Sequence, residues 1–397
     1  MFDTPTQLLL SSNYRPKLDH YVDLTNRFLI DPNKDEFMKN IGEAIDPELL
    51  MQHKIFDENA PYKELDTFDI NEILTKSNMA IASLVGVGGQ LPSTGMGTLI
   101  EIKGGMAKLG IRHVFDEKTM EMILKLKHSK VIPQSVINML FGSVKSIYNR
   151  IWNLGNVLTA QVWYQGKVMF VDPRTNLGLE IKYDTRDTLY PAPLTGGFTW
   201  DNKDTARGVQ DLADHAKAYY RVNSFFPKKV YMSFDLITDL MSQESTSAMA
   251  VSMGLISHHD TSTLPKRVTR RVLKLMAEEN KDIPEICEWD AQYELETEPG
   301  KNTSARYLPE NTYTFIQPKA VDRSYGLTVE SAMGLSNAFG KKFRTSGSGA
   351  KGGILVRAKK DDLDCSPPKS EIFGVGRMIP FCHDARRLGA RQVKGAA

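Results

Sequence analysis

From Pro133 to Leu158 the chain carries one unbroken apolar stripe. Ile137, Leu140, Val144, Ile147, Ile151, Leu154 and Leu158 recur at alternating spacings of three and four, which places them on one face of a helix. Some 25 residues at about 1.5 Å each make a rod of roughly 37 Å, long beside the usual three turns. A coiled-coil seam competes with this reading, but Gly142 and Gly155 weaken it, and a backbone helix packed on a sheet is expected. The opposite face, with Lys145, Asn149 and Arg150, is expected to be solvated. Beyond the rod the period shifts to two. Lys167–Val171 and Leu179–Tyr183 flank an Asp172-Pro173-Arg174-Thr175-Asn176 turn and predict a hairpin. Val209, Leu212, Ala213, Ala216 and Tyr220 predict a helix over 204–220. A buried strand follows at 229–234, then a helix capped by Asp235. Further strands are expected at 313–316 and 354–358, and 260–300 reads as a charged loop region.

Upstream, within Gly86 to Arg112, a tip rich in Gly, Pro, Ser and Thr around Pro92 stands between the β-capable runs 80–85 and 98–103. That punctuation predicts a long hairpin, with arms reaching on the order of 40 Å. An isolated ribbon is marginal in water and exposes pairing edges. It gains most by lying on another copy of the chain, which indicates an assembly protein before an enzyme. Residues 1–60 are polar and broken by Pro5, Pro16, Pro32 and Pro47, so they read as an extended arm with short helical pieces. A further short helix is expected at 119–127.

Composition narrows the classes. The 397 residues are 41% hydrophobic and 25% charged, an ordinary globular balance that suggests two or three domains. A net charge of +2 argues against a dedicated DNA-coating protein. No apolar window approaches the roughly 18 residues a membrane span needs. The start, Met1-Phe2-Asp3-Thr4-Pro5, lacks the basic and apolar regions of a secretory signal. Cys287, Cys365 and Cys382 are sparse and unpaired in spacing, so free thiols are expected.

Candidate chemistry is thin. Gly347-Ser348-Gly349-Ala350-Lys351-Gly352 matches G-x-G-x-x-G, but no strand precedes it and no helix follows to aim amides at a phosphate. Gly86-Val87-Gly88-Gly89 runs into Pro92 and a second strand, so it also lacks a helix N-terminus. Residues 340–353 read as a basic loop. His258-His259-Asp260 has no second ligand cluster. Cys382-His383-Asp384 resembles a nucleophile trio only in spelling. No catalytic, cofactor or metal residues are assigned. Two alternatives stay open: a cytoplasmic α/β enzyme binding a phosphorylated ligand through its Gly-rich loops, and a nonspecific nucleic-acid binder using the basic loop and tail.

Three segments carry a family resemblance. They are Lys145-Ser146-Ile147-Tyr148-Asn149-Arg150-Ile151-Trp152-Asn153-Leu154-Gly155 with Gln165 to Asp172, then Pro227 to Ser233 with Leu240, and Phe315-Ile316-Gln317-Pro318 with Tyr325-Gly326. In this order, over about 75–385, the chain resembles a tailed-bacteriophage major capsid protein, and most nearly the lambda-like capsid E family with its Hong Kong 97-type fold. The resemblance implies an α+β fold with an N-terminal arm at 1–60, a connection at 61–79 and an extended loop at 80–116. It further implies a peripheral domain with a spine helix at 117–198, an axial domain at 199–335, and a return with a loose basic tail at 336–397. It makes Gly88, Leu91, Met96, Ile100, Ile102, Lys103, Met106 and Arg112 contacts to the adjacent subunit. Ile137, Leu140, Val144, Ile147, Ile151 and Leu154 become the packing face of the spine. The implied role is a structural shell protein of the virion, assembled in the host cytoplasm and not an enzyme. Its implied partners are itself, in hexamers and pentamers, then scaffolding, portal and decoration proteins and nonspecifically held DNA on the inner face, with no membrane.

Overall fold

The computed structural model describes residues 54–65, 67, 69–75, 99–115, 134–256, 267–298, 301–329, 354–360 and 370–395. Outside these lie the leader through residue 53, the hairpin tip, the 119–127 helix, His258-His259-Asp260, the 340–353 loop and Cys365.

In chain order the strands and helices are β1 (Tyr62–Glu64), β2 (Asp69–Thr75), β3 (Leu99–Gly105), β4 (Ala107–Phe115), α1 (Gln134–Gln165), β5 (Lys167–Val171), β6 (Gly178–Lys182) and α2 (Gly208–Asn223). There follow β7 (Lys229–Met232), α3 (Phe234–Ser242), α4 (Glu244–Ser252), α5 (Arg270–Glu279), β8 (Glu285–Glu288), β9 (Gln292–Glu298), β10 (Lys301–Arg306), β11 (Thr312–Phe315), β12 (Val321–Gly326), β13 (Leu355–Lys360), β14 (Ser370–Cys382) and β15 (Gly389–Gln392).

The first lobe packs α1 on a sheet ordered β1-β12-β14-β13, with β4 also on β14. Arg377 and Met378 pair with both β12 and β4, and 370–375 with both β13 and β4. β12 and β13 therefore lie end to end along one edge of β14, and β4 along the other. The 32 residues of α1 span about 48 Å. Ile147, Ile151, Val157 and Leu158 are buried in its core and Leu154 packs half-buried against it, while Ile137, Leu140 and Val144 lie on the helix's first turns. The sheet-packed spine is thus the observed arrangement. Arg150, on the outward face, pairs with Glu296. The β5–β6 hairpin forms in the expected register, Lys167 opposite Lys182. Its turn is held by Asp172, which accepts from the Arg174 amide at 2.9 Å and the Thr175 hydroxyl at 3.0 Å.

The second lobe is a sheet ordered β15-β11-β7-β8 with α2 to α5. β7 and β8 are parallel, whereas β11 is antiparallel to β7 and β15. Its core gathers Leu212, Val230, Leu236, Leu240, Tyr313 and Phe315.

Four expectations are corrected. The tail from Arg386 is not loose: β15 closes the second lobe's sheet on β11, and Val393 is fully buried. Residues 336–397 therefore serve both lobes. The 260–300 region is not all loop: it holds strands β8 and β9 and helix α5, which Thr269 caps by accepting from the Val272 amide. Helix α3 is capped by Ser233, whose hydroxyl accepts from the Leu236 amide at 3.3 Å, and Asp235 stands in its first turn. The leader's last turn, 54–60, is not a solvated arm: Phe56 is fully buried and stacks on Trp163 at 5.1 Å. Among the described residues no helix is long and apolar enough to cross a membrane.

Candidate functional site

The feature set apart by its pairing is the β2–β3 ribbon. Asp69–Thr75 runs antiparallel to Leu99–Gly105, from Asp69 opposite Gly105 to Thr75 opposite Leu99. Among the described residues the two strands pair only with each other. Seven residues extend about 23 Å, and among the described residues no strand pairs with either outer edge of the ribbon.

Its root is held in the first lobe. Leu327 donates its amide to the Thr67 carbonyl at 2.9 Å, and Leu65 donates to Tyr325 at 2.8 Å. Met106, just past the ribbon, is buried with Ile379 and Phe381. Its thioether lies over Gly326, where any Cβ would strike the sulfur and, at 2.7 Å, the Thr67 carbonyl. β4 then enters the sheet in register, Arg112 opposite Phe373. The chain thus passes directly from the ribbon into a strand paired along its whole length with β14.

This settles where the predicted contact residues stand. Ile100, Ile102 and Lys103 are on β3, opposite Leu74, Glu72 and Asn71. Gly88, Leu91 and Met96 lie outside the described residues. Met106 turns inward to its own sheet, packing with Ile379 and Phe381 at the ribbon's root. Arg112 is exposed on β4 within the sheet rather than on a projecting loop. The sequence reading also missed β2, whose order Asp69-Ile70-Asn71-Glu72-Ile73-Leu74-Thr75 has no period of two to signal a strand.

The residues that could have carried chemistry are otherwise engaged. Cys382 is buried, and burial, reinforced by Asp384, pushes its thiol up to about 12, far from a reactive thiolate. His383 bonds Asp322 through Nε2 at 2.5 Å rather than Cys382. Burial also raises the Cys287 thiol. A cleft of about 750 Å³ opens between α1, β4, the β5–β6 hairpin and the β9–β10 hairpin. Its charged groups bond one another: Glu296 takes Arg150 and, at 3.5 Å, Arg174, while Glu294 accepts from Asn302 at 2.7 Å. Among the described residues no group of three or more His, Cys, Asp or Glu is placed to hold a metal.

A spine helix on a sheet beside a second α/β lobe is the Hong Kong 97-type fold of phage capsid proteins. The crystal structure of a protein assigned as the capsid protein of an Escherichia coli CFT073 prophage superposes with a TM-score of 0.52 at 11% identity, covering 91% of this chain and 99% of that one. A phage-related protein from Bordetella bronchiseptica RB50 gives 0.49 at 11%, covering 90% and 96%. The satellite phage P4 procapsid gives 0.43 at 9%, covering 91% and 99%. The fold is taken from the first of these. No family model and no curated protein matches the chain.

Proposed function

We propose that this chain is the structural subunit of an icosahedral phage head, a non-enzymatic protein that assembles with copies of itself around double-stranded DNA. One observation carries the proposal: in a fold shared with a capsid protein, the β2–β3 ribbon pairs with no other strand of the described chain. A ribbon of this kind is marginal alone, and lying on a neighbouring copy would cover its edges. Identical contacts repeated around closed rings then multiply a small gain per subunit. Hexamers and pentamers, with scaffolding, portal and decoration proteins as further partners, follow from that role, as does a location in the virion after assembly in the host cytoplasm. The near-neutral net charge of +2 suits a wall that contains DNA without reading its sequence.

Negative-stain microscopy of the expressed chain, with scaffold where required, tests this. Closed shells, tubes or capsomer rings are expected. Replacing Leu91 and Met96 by Asp should abolish them while the circular dichroism of the subunit stays native. A chain that remains monomeric in every assembly condition would sink the proposal. The enzyme alternative rested on two glycine segments that lie outside the described residues, and nothing described supports it.

A further inference from the structure

The sheet of the second lobe has two chemically opposite ends. β7 and β8 start together, and α2 ends at that same edge: the Glu285 amide donates to the Lys228 carbonyl at 3.0 Å. Asn223, closing α2, donates to the Arg386 carbonyl at 2.7 Å, and Tyr219 donates to the Arg387 carbonyl at 3.2 Å. These bonds gather Arg221, Lys228, Lys229, Arg386 and Arg387 at one end, where Asp384 bridges Arg386 at 2.9 Å and Arg387 at 3.4 Å and Glu285 stands opposite Lys229, while Lys217 and Asp282 pair with each other at 3.3 Å. Aromatic rings lie among the cations. Tyr220 is 45% exposed and stacks on Phe226 at 4.6 Å, and Phe225 is 39% exposed.

At the far end, about 13 Å along β7, the balance reverses. Phe234 donates its amide to Asp290 at 2.7 Å, and Ser233 donates to the Glu310 carbonyl at 3.1 Å. Asp235, Asp290 and Glu310 all bridge Arg306, and Glu288 bridges Arg270, which the exposed Arg267 and Arg271 flank, while Asp239 and Lys394 pair with each other. The Asp235 and Glu310 side chains remain 54% and 60% exposed despite their bridges to Arg306. Phe234 is itself 47% exposed.

We propose that these two ends are the two halves of one head-to-tail contact, the basic aromatic end of one copy seated on the acidic end of the next. A contact between unlike patches of identical chains is heterologous, and it closes into a ring when the rotation allows. Opposite charge across the joint sets register and direction and penalises head-to-head pairing. The inference rests on the shell-subunit reading and names the joint it would use. A nucleic acid on the basic end is the competing occupant, but it would leave the matching acidic end without a role.

Charge reversal tests the joint, with sedimentation velocity and negative stain reporting the assembled fraction. Arg221→Glu with Lys228→Glu, and separately Asp235→Lys with Glu310→Lys, should each cut that fraction on the order of tenfold or more. All four changes together should restore it to within about twofold, because the reversed ends match again. Circular dichroism confirms folding. Where a reversal does not fold, the neutral pair Asp235→Asn with Glu310→Gln should give a smaller loss in the same direction. Retention of plasmid DNA is measured alongside: if the basic reversal abolishes retention and leaves assembly intact, the joint is wrong. Wild-type assembly that both reversals leave unchanged overturns the joint alone, whereas a wild-type chain that never assembles overturns the shell reading with it.

Discussion

Arg323 on β12 and Asn156 on α1 meet in the buried interface between sheet and helix, Nη1 donating to Oδ1 at 2.8 Å, with neither side chain exposed. The same guanidinium donates through Nε to the Ala60 carbonyl at 2.8 Å, bonds Asp57 through its remaining nitrogen, and lies 4.6 Å from the Trp152 ring. One planar fork therefore ties the leader's last turn, the spine helix and the sheet together. Arg323→Ala would take this donor from two buried acceptors, the Asn156 side chain and the Ala60 carbonyl, and release Asp57, whose side chain is 60% exposed; losing the donor to a buried acceptor costs about 1–3 kcal/mol each. Urea unfolding should show that loss, and limited proteolysis should cut faster near 54–60. A loss under about 1 kcal/mol would mean the clamp is ornamental.

Helix α1 approaches the sheet most closely at Gly155. A Cβ there would sit 2.5 Å from the Tyr325 hydroxyl. The Tyr325 ring cannot yield easily, being buried and stacked on Trp152 at 5.8 Å with Tyr62 at 5.0 Å. Gly155→Ala should therefore destabilise by about 1–3 kcal/mol through overpacking, even though alanine is worth about 1 kcal/mol more than glycine in a helix interior. With Tyr325→Phe added, the nearest atoms fall to ordinary contact, 3.4 Å from Met378 and 3.5 Å from the ring carbon. The double variant should recover most of the loss. If it unfolds as easily as Gly155→Ala, the hydroxyl is not the obstruction.

What the sequence discloses here follows from what each element leans on. The stripe of α1 was legible because Ile147, Ile151 and Leu158 meet the core at helical spacing whatever the sheet does. The β5–β6 hairpin was legible from its local turn chemistry at Asp172. β14 was not: Gly374 and Gly376 punctuate Ser370–Cys382 like a turn, and only partners on both edges make it a strand. β15 likewise owes its order to backbone pairing with β11, which no composition of Gly389-Ala390-Arg391-Gln392 announces. For the candidate site, the expected hairpin set 80–85 against 98–103, and 80–85 and the tip lie outside the described residues. The described partner of 99–105 is 69–75, whose Asp69, Asn71 and Glu72 give no strand pattern, and Met106, expected at a subunit contact, packs in its own sheet.

The cap of α3 gives a local check on that kind of error. Ser233 is fully buried, accepts from the Leu236 amide and donates to the Glu310 carbonyl at 3.1 Å, so Ser233→Ala loses a cap and orphans an acceptor. A cost of about 1–2 kcal/mol is expected. Asp235→Ala gives up only a favourable first-turn charge and an exposed bridge, about 0.5 kcal/mol. Thermal unfolding of the two variants should rank them in that order, and the reverse order would return the cap to Asp235.

Acid should loosen the second lobe through His215. Its ring is 4% exposed, with Nδ1 2.9 Å from the Tyr313 hydroxyl and Nε2 3.1 Å from the Leu189 carbonyl. Burial lowers its pKa from 6.5 to about 4, against the pull of the Leu189 carbonyl and with help from Arg391. The folded value lies below the unfolded one, so the unfolded chain takes up this proton first. The stabilisation is therefore complete above about pH 6.5 and fades as pH falls toward about 4. At about 1.4 kcal/mol per pH unit the whole effect is on the order of 3 kcal/mol. Unfolding free energies of the wild type and His215→Phe, measured from pH 7 to 4.5, should converge as the pH drops, because the variant lacks the titrating ring. Parallel curves would show that His215 keeps an ordinary pKa in the folded lobe and that its burial has no linkage to acid stability.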